Sequence, residues 1–147
     1  MTNHSTLVKF KRVREGINLP RYRTLGSAGM DIEAGEDIVL MPMVPTKVNT
    51  GLAMELSHDM EAQVRSRSGL SLKGVVVFNS PGTVDSDYRG EVGVVLMNYN
   101  INTPYKISKG DRIAQMVFNR LPKVIVLDCA TLYASERGSG GFGSTGE

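Results

Sequence analysis

The sequence predicts an all-β domain, an antiparallel sandwich or jelly roll with one short helix and a glycine-rich C-terminal arm. Apolar residues rarely recur at helical spacing and come as short runs or in alternation, the pattern of strands. Turn formers separate these runs at intervals that suit a sandwich. The chain has 147 residues of which 41% are hydrophobic, enough for one ordinary core and the length of a single domain.

Taken in chain order, Val8-Lys9-Phe10-Lys11 alternates, and Ile38–Leu40, Val75–Phe78, Val92–Met97, Ile113–Phe118 and Val124–Leu127 are compact apolar runs. Each is expected to be a strand. Gly35, Pro42, Pro45, Gly51, Asn79–Gly82, Asn102–Pro104, Gly110 and Pro122 supply the turns between them. Ser68-Gly69-Leu70-Ser71-Leu72-Lys73 has a helical look: a serine could cap a turn or two, with Leu70 packed beneath. From about Ala134 the composition turns to Gly and Ser, with little to bury and much backbone entropy to lose. This divides the chain into a β domain over 1–134 and a flexible arm over 135–147.

The formal net charge is +2, and the cations are spread along the chain, so nothing calls for a nucleic-acid polymer or a membrane as partner. The partner is expected to be a small molecule or another protein chain. A single cysteine, Cys129, excludes an internal disulfide framework and a Cys-based metal site, and is expected to be a buried thiol in a reducing compartment. No segment has the length and apolarity of a signal peptide or membrane span, which reads as soluble and cytoplasmic.

Four constellations bear on chemistry. Gly82-Thr83-Val84-Asp85-Ser86-Asp87-Tyr88-Arg89-Gly90 is either an acidic turn or a carboxylate that orients a water beside an aromatic ring. Carboxylates are weak bases at neutral pH, so the second reading needs help from the electrophile or a metal. Arg67-Ser68-Gly69-Leu70 is either solvent-facing strand residues with an N-cap or a phosphate cradle, in which a planar guanidinium, a hydroxyl and a close-approach glycine meet an anion. Gly110-Asp111-Arg112-Ile113-Ala114-Gln115 holds either structural ion pairs or a ligand-facing amide. The tail Arg137–Gly146 is either low-complexity sequence or a lid whose Phe142 stacks on a base while Arg137 and backbone amides clamp phosphates.

Together with Ala28-Gly29-Met30-Asp31-Ile32-Glu33-Ala34, and in this order, these segments resemble the five motifs of the trimeric dUTPase family, from about residue 20 to the end. The resemblance implies a distorted jelly roll of the β-clip type. It also implies hydrolysis of dUTP to dUMP and pyrophosphate with Mg2+, limiting uracil in DNA and supplying dUMP for thymidylate synthesis. Asp85 matches the catalytic aspartate that holds the water attacking the α-phosphorus. Asn79 and the hairpin through Gly82 and Val84 match the uracil pocket, and Tyr88 matches the ring that packs on deoxyribose and blocks a 2′-hydroxyl. Arg67, Ser68, Gly69 and Gln115 match phosphate contacts. Arg137, Phe142, Gly143 and Ser144 match the arm that closes over γ-phosphate and base, and Asp31, Asp87 and Arg112 match supporting positions.

No residue is implied as a direct metal ligand, the ion being held by phosphates and water. Three chains are implied to share three sites. Met30 and Ile32 stand where an aromatic and a leucine are more usual, and Ser66 where proline is common, as changes of packing.

Two other readings remain at this stage. The related dCTP deaminase shares the fold and would need a glutamate base near the pyrimidine, for which Glu91 is the only acid just past the hairpin. A non-catalytic nucleotide-binding regulator is the other.

Overall fold

The computed structural model describes residues 6–143. Its elements are β1 (Lys9–Arg12), β2 (Met30–Glu33), β3 (Ile38–Leu40), β4 (Thr46–Asn49), β5 (Leu52–Glu55), β6 (Met60–Arg65), α1 (Ser68–Ser71), β7 (Val75–Val77), β8 (Gly82–Val84), β9 (Gly93–Asn98), β10 (Tyr105–Ile107) and β11 (Arg112–Arg120). A four-stranded sheet runs β2-β11-β6-β8 and a three-stranded sheet runs β4-β9-β7, while β1-β5 and β10-β3 form two-stranded pairs. Pairing within all four is antiparallel. The result is the jelly-roll-like all-β fold the sequence predicts.

β11 is the spine of the larger sheet because its nine residues reach both β2 and β6. β6 shows the physics most plainly: Met60, Ala62 and Val64 are buried while Glu61, Gln63 and Arg65 are less so, the period-two alternation of a strand with one face on the core. Ile32, Leu40, Val48, Val75, Val94, Leu96, Ile107, Ile113 and Met116 are fully buried. Burial of such side chains contributes about 1.5–3 kcal/mol each. Asn98 is buried with them, and its amide donates to the carbonyls of Leu40 and Thr103, so the polar group is not left orphaned.

Three local expectations are corrected. Val124–Leu127 forms no strand and its side chains are exposed: within the described chain the run pairs with no other segment. Cys129 lies on the same segment and is exposed, not buried. At α1 the N-cap is Arg67, with no side-chain capping bond; Ser71 Oγ instead donates back to the Arg67 carbonyl. Leu70 packs beneath the turn as expected. Among the described residues, no helix is long and apolar enough to cross a membrane.

Candidate active site

Two groups of the sequence-predicted residues lie at different places on the four-stranded sheet. At the first, β11 brings Gln115 opposite Asp31 of β2 on one side and Arg65 of β6 on the other. The chain then leaves β6 through Ser66 into α1, which sets Arg67 beside Asp31. Arg67 Nε donates to Asp31 Oδ1 at 2.9 Å, and Arg23 Nε and Arg112 Nη1 donate to Oδ2 at 3.0 and 3.2 Å. Arg67 Nη1 also donates to the Arg112 carbonyl at 3.0 Å. Gln115 Nε2 donates to the Ser66 carbonyl at 2.9 Å, tying strand to helix entry. Ser66, at a position where proline would offer no such group, accepts the Val77 N–H on its Oγ at 2.8 Å.

Three guanidiniums on one carboxylate leave two positive charges. Burial pushes the Asp31 carboxyl up, but the hydrogen bonds from Arg23 and Arg112 and the charge of Arg67 outweigh it and hold the group below its ordinary value. Beside this array is a cavity of about 410 Å3 lined by Arg67, Gly69, Lys73 and Arg112 among others. Ser68 and Gly69 are exposed, and a Cβ added to Gly69 would meet nothing within 4 Å. The chain's own packing therefore does not demand glycine there.

The second group is carried by β8. Asn79 and Tyr88 flank the strand, Gly82 and Val84 are buried in it, and Asp85 and Asp87 are exposed beyond it. The Asn79 amide sits over Gly82, 3.3 Å from where a Cβ would stand. Among the described residues, the carboxylates of Asp85 and Asp87 have no hydrogen-bond or ion-pair partner. The Asp85 carbonyl accepts the Tyr88 N–H at 3.2 Å, closing the turn.

The two groups are not contiguous within one chain. Val84 pairs with Ala62, three residues down β6 from Arg65, and Asp85 lies beyond it. At about 3.3 Å per residue this puts Asp85 on the order of 13 Å along the sheet from the Arg65–Gln115–Asp31 row. Nor does the arm join either group: Arg137, Phe142 and Gly143 are exposed, and the turns at 135–140 bond only to themselves. Ser144 lies outside the described residues.

Sequence reasoning missed Arg23 and Lys73, which the fold brings to the phosphate-scale end. It also missed the pairing of Arg14 with Glu91 at 2.7 Å behind the hairpin. Partners 77 positions apart leave no local spacing signal.

The dUTPase family model matches residues 15–146. The deoxyuridine 5'-triphosphate nucleotidohydrolase of Treponema denticola is 51% identical over 140 residues, covering 93% of this chain and 96% of the relative. That of an Anaeromyxobacter species is 48% identical over 143 residues, with 95% and 97% covered. Among solved structures, Staphylococcus bacteriophage 80alpha dUTPase with dUpNHpp superposes with a TM-score of 0.88 at 26% identity, covering 97% of this chain and 100% of the other. A mutant dUTPase of S. aureus phage phi11, which coordinates a structural Mg(II) ion, superposes at a TM-score of 0.81 with 21% identity over 88% of this chain and 100% of the other, a likeness of fold. The family match and these identities run along nearly the whole length of a jelly-roll-like chain, and the chain belongs to the dUTPase family.

Proposed function

We propose that the protein hydrolyses dUTP to dUMP and pyrophosphate, with water attacking the α-phosphorus. The observation that carries this reading is the doubly positive array around Asp31, set beside a cavity of phosphate scale in a chain of this family. Triphosphate hydrolysis asks mainly for positioning and charge neutralisation. Arg67, the Ser68 hydroxyl, the open approach at Gly69, and Gln115 hold the phosphate oxygens. Asp31 and Arg112 keep Arg67 aimed. Asp85, without a partner among the described residues, accepts a hydrogen bond from the attacking water and orients it. Asn79 and the main chain through Gly82 and Val84 read the uracil edge, Asp87 supports that turn, and Tyr88 packs on the sugar.

Specificity follows from the same parts: thymine's methyl clashes in a tight pocket, and cytosine leaves buried groups unpaired.

The donor set fits magnesium bound through substrate phosphates and water. Among the described residues no three acidic, His or Cys side chains are gathered as a cage, and both Asp31 oxygens are engaged by arginines. Mg2+ prefers oxygen ligands and commonly keeps its waters, and it supplies charge neutralisation of the phosphates. The chain's part is to fix those phosphates.

Because Asp85 and the arginine array are separated on one sheet, a site using both takes Asp85 from a second copy. The exposed Val124–Leu127 run and the unattached arm, read as a unit distinct from the β domain from residue 135, support an assembly of copies with shared sites, and the family resemblance makes that assembly a homotrimer. The arm then delivers Arg137 and Phe142, with Gly143 and Ser144, over the bound nucleotide. A cytoplasmic enzyme acting on the free nucleotide pool is the setting this chemistry fits.

Incubation with dUTP, dCTP, dTTP and UTP plus magnesium, with products separated by chromatography, tests the reading. Pyrophosphate and dUMP from dUTP alone are expected. Ammonia from dCTP would instead point to deamination, and no turnover of any substrate to a binding protein.

A further inference from the structure

We infer that Glu91, gripped by Arg14, is a positioning residue for Tyr88 and so sets how strictly deoxyribose is preferred to ribose. The inference rests on the dUTP reading above. Arg14 engages Glu91 in a fork, Nε to Oε1 at 2.7 Å and Nη2 to Oε2 at 3.1 Å. The Gly51 N–H donates to the same Oε1 at 2.8 Å. The remaining Arg14 nitrogen reaches Glu36 Oε2 at 3.4 Å, and Glu36 Oε1 accepts the Asn49 N–H at 2.8 Å. One carboxylate thus fastens the segment after β8 to the β4–β5 turn and to the chain after β1. Bidentate, charge-assisted bonds of this kind fix direction as well as distance.

The next residue is held too. Val92 N–H donates to the Leu52 carbonyl at 2.7 Å, and the Val92 carbonyl accepts Thr50 Oγ1 at 2.7 Å. The peptide between these anchors carries the Glu91 carbonyl, which accepts the Tyr88 hydroxyl at 3.0 Å. Tyr88 is 44% exposed, so little packing holds its ring. What places it is this hydroxyl bond and the bare Cα of Gly90, where an added Cβ would come within 2.4 Å of the phenolic oxygen. A ring that excludes a single 2′-hydroxyl by contact works only if its position is fixed to a fraction of an ångström. The fork at Glu91 supplies that fixity from outside the site, without touching substrate.

The test compares kcat/KM for dUTP and for UTP in wild type, Glu91→Ala, Glu91→Gln, Tyr88→Phe and the Glu91→Ala/Tyr88→Phe double variant. Glu91→Ala is expected to lower the dUTP-to-UTP ratio about three- to tenfold, the weight of one hydrogen bond. Glu91→Gln keeps one acceptor oxygen for the Gly51 N–H and Arg14 Nε but turns an amide NH2 toward Arg14 Nη2, so it restores part of the ratio and falls between wild type and Glu91→Ala. With Tyr88→Phe the link is already cut, so adding Glu91→Ala changes the ratio less than about twofold. A ratio unmoved by Glu91→Ala, or moved equally in both backgrounds, overturns the inference and leaves the pair as a structural tie. If Glu91→Ala does not fold, Arg14→Gln breaks the same fork from the other side; a fall in the ratio supports the inference and an unchanged ratio overturns it. Failure of wild type to hydrolyse dUTP is a separate result, which removes the parent reading and this inference with it.

Discussion

The two ends of the four-stranded sheet are built on opposite plans. Around Asp31 the polar groups hold one another: three arginines share one carboxylate, and Gln115 is tied to Ser66. At the end of β8, Asp85 stands exposed with no partner among the described residues. The first plan stores preorganisation, since groups that hold one another need little rearrangement when an anion arrives. The second leaves a carboxylate whose whole use lies in what is brought to it. Structure and chemistry should therefore separate at one end and be coupled at the other.

The sharpest break of that contrast is Asp85→Asn. Turnover of dUTP is expected to fall by at least about a thousandfold, while the thermal midpoint stays within what a surface change of about 0.5 kcal/mol produces. Nucleotide affinity, measured by calorimetry, should survive. Undiminished turnover would take Asp85 out of its role. Next in size is removal of 135–147, expected to cost about 10- to 100-fold in turnover with no loss of thermal stability, because the described residues of this stretch, 135–143, contribute nothing to the core. Full activity in the truncated protein would mean that the arm is not a lid.

Asp31→Asn probes the engaged end and should move both properties. KM for dUTP is expected to rise about tenfold, and stability to fall by about 1–2 kcal/mol by denaturant unfolding, since one half-buried anion no longer holds three partly exposed cations. The same group gives a pH signature. Its folded value lies below its unfolded one, so its contribution is present above about pH 4 and is lost as pH falls through the depressed folded value. In Asp31→Asn that part of the acid destabilisation should disappear. An unchanged unfolding profile below about pH 4 would show that Asp31 is not the group responsible.

Legibility in the sequence followed where the information sits. Ile38–Leu40, Val75–Val77 and the centre of β11 are dense apolar runs, and a run needs no partner to be noticed. β2, β4, β5, β6 and β10 do not stand out as strands in the sequence, and β8 is expected only as part of the hairpin after Asn79. β2 and β4 mix polar and apolar residues over four positions, and β8 is only Gly82–Val84. β6 alternates cleanly and was the one such strand within reach.

Val124–Leu127 erred the other way, because apolar character reports what a segment would bury and not what is there to bury it. For the site, motif residues were readable one by one, but their grouping was not. Arg67 meets Asp31 across 36 positions, and only the β2-β11-β6 order explains why. That Asp85 stands apart from them is likewise a matter of register, fixed by Val84 opposite Ala62.

The same apolar run has a consequence for handling the protein. Val124-Ile125-Val126-Leu127 is a β-prone, uncharged stretch, the composition that templates cross-β stacking when left bare. It is bracketed by Lys123 and Asp128, so in-register parallel stacking of identical chains sets like charges against one another at both ends. Antiparallel pairing would instead set Lys123 against Asp128. The charges thus act as gatekeepers against in-register parallel stacking while tolerating an antiparallel pairing.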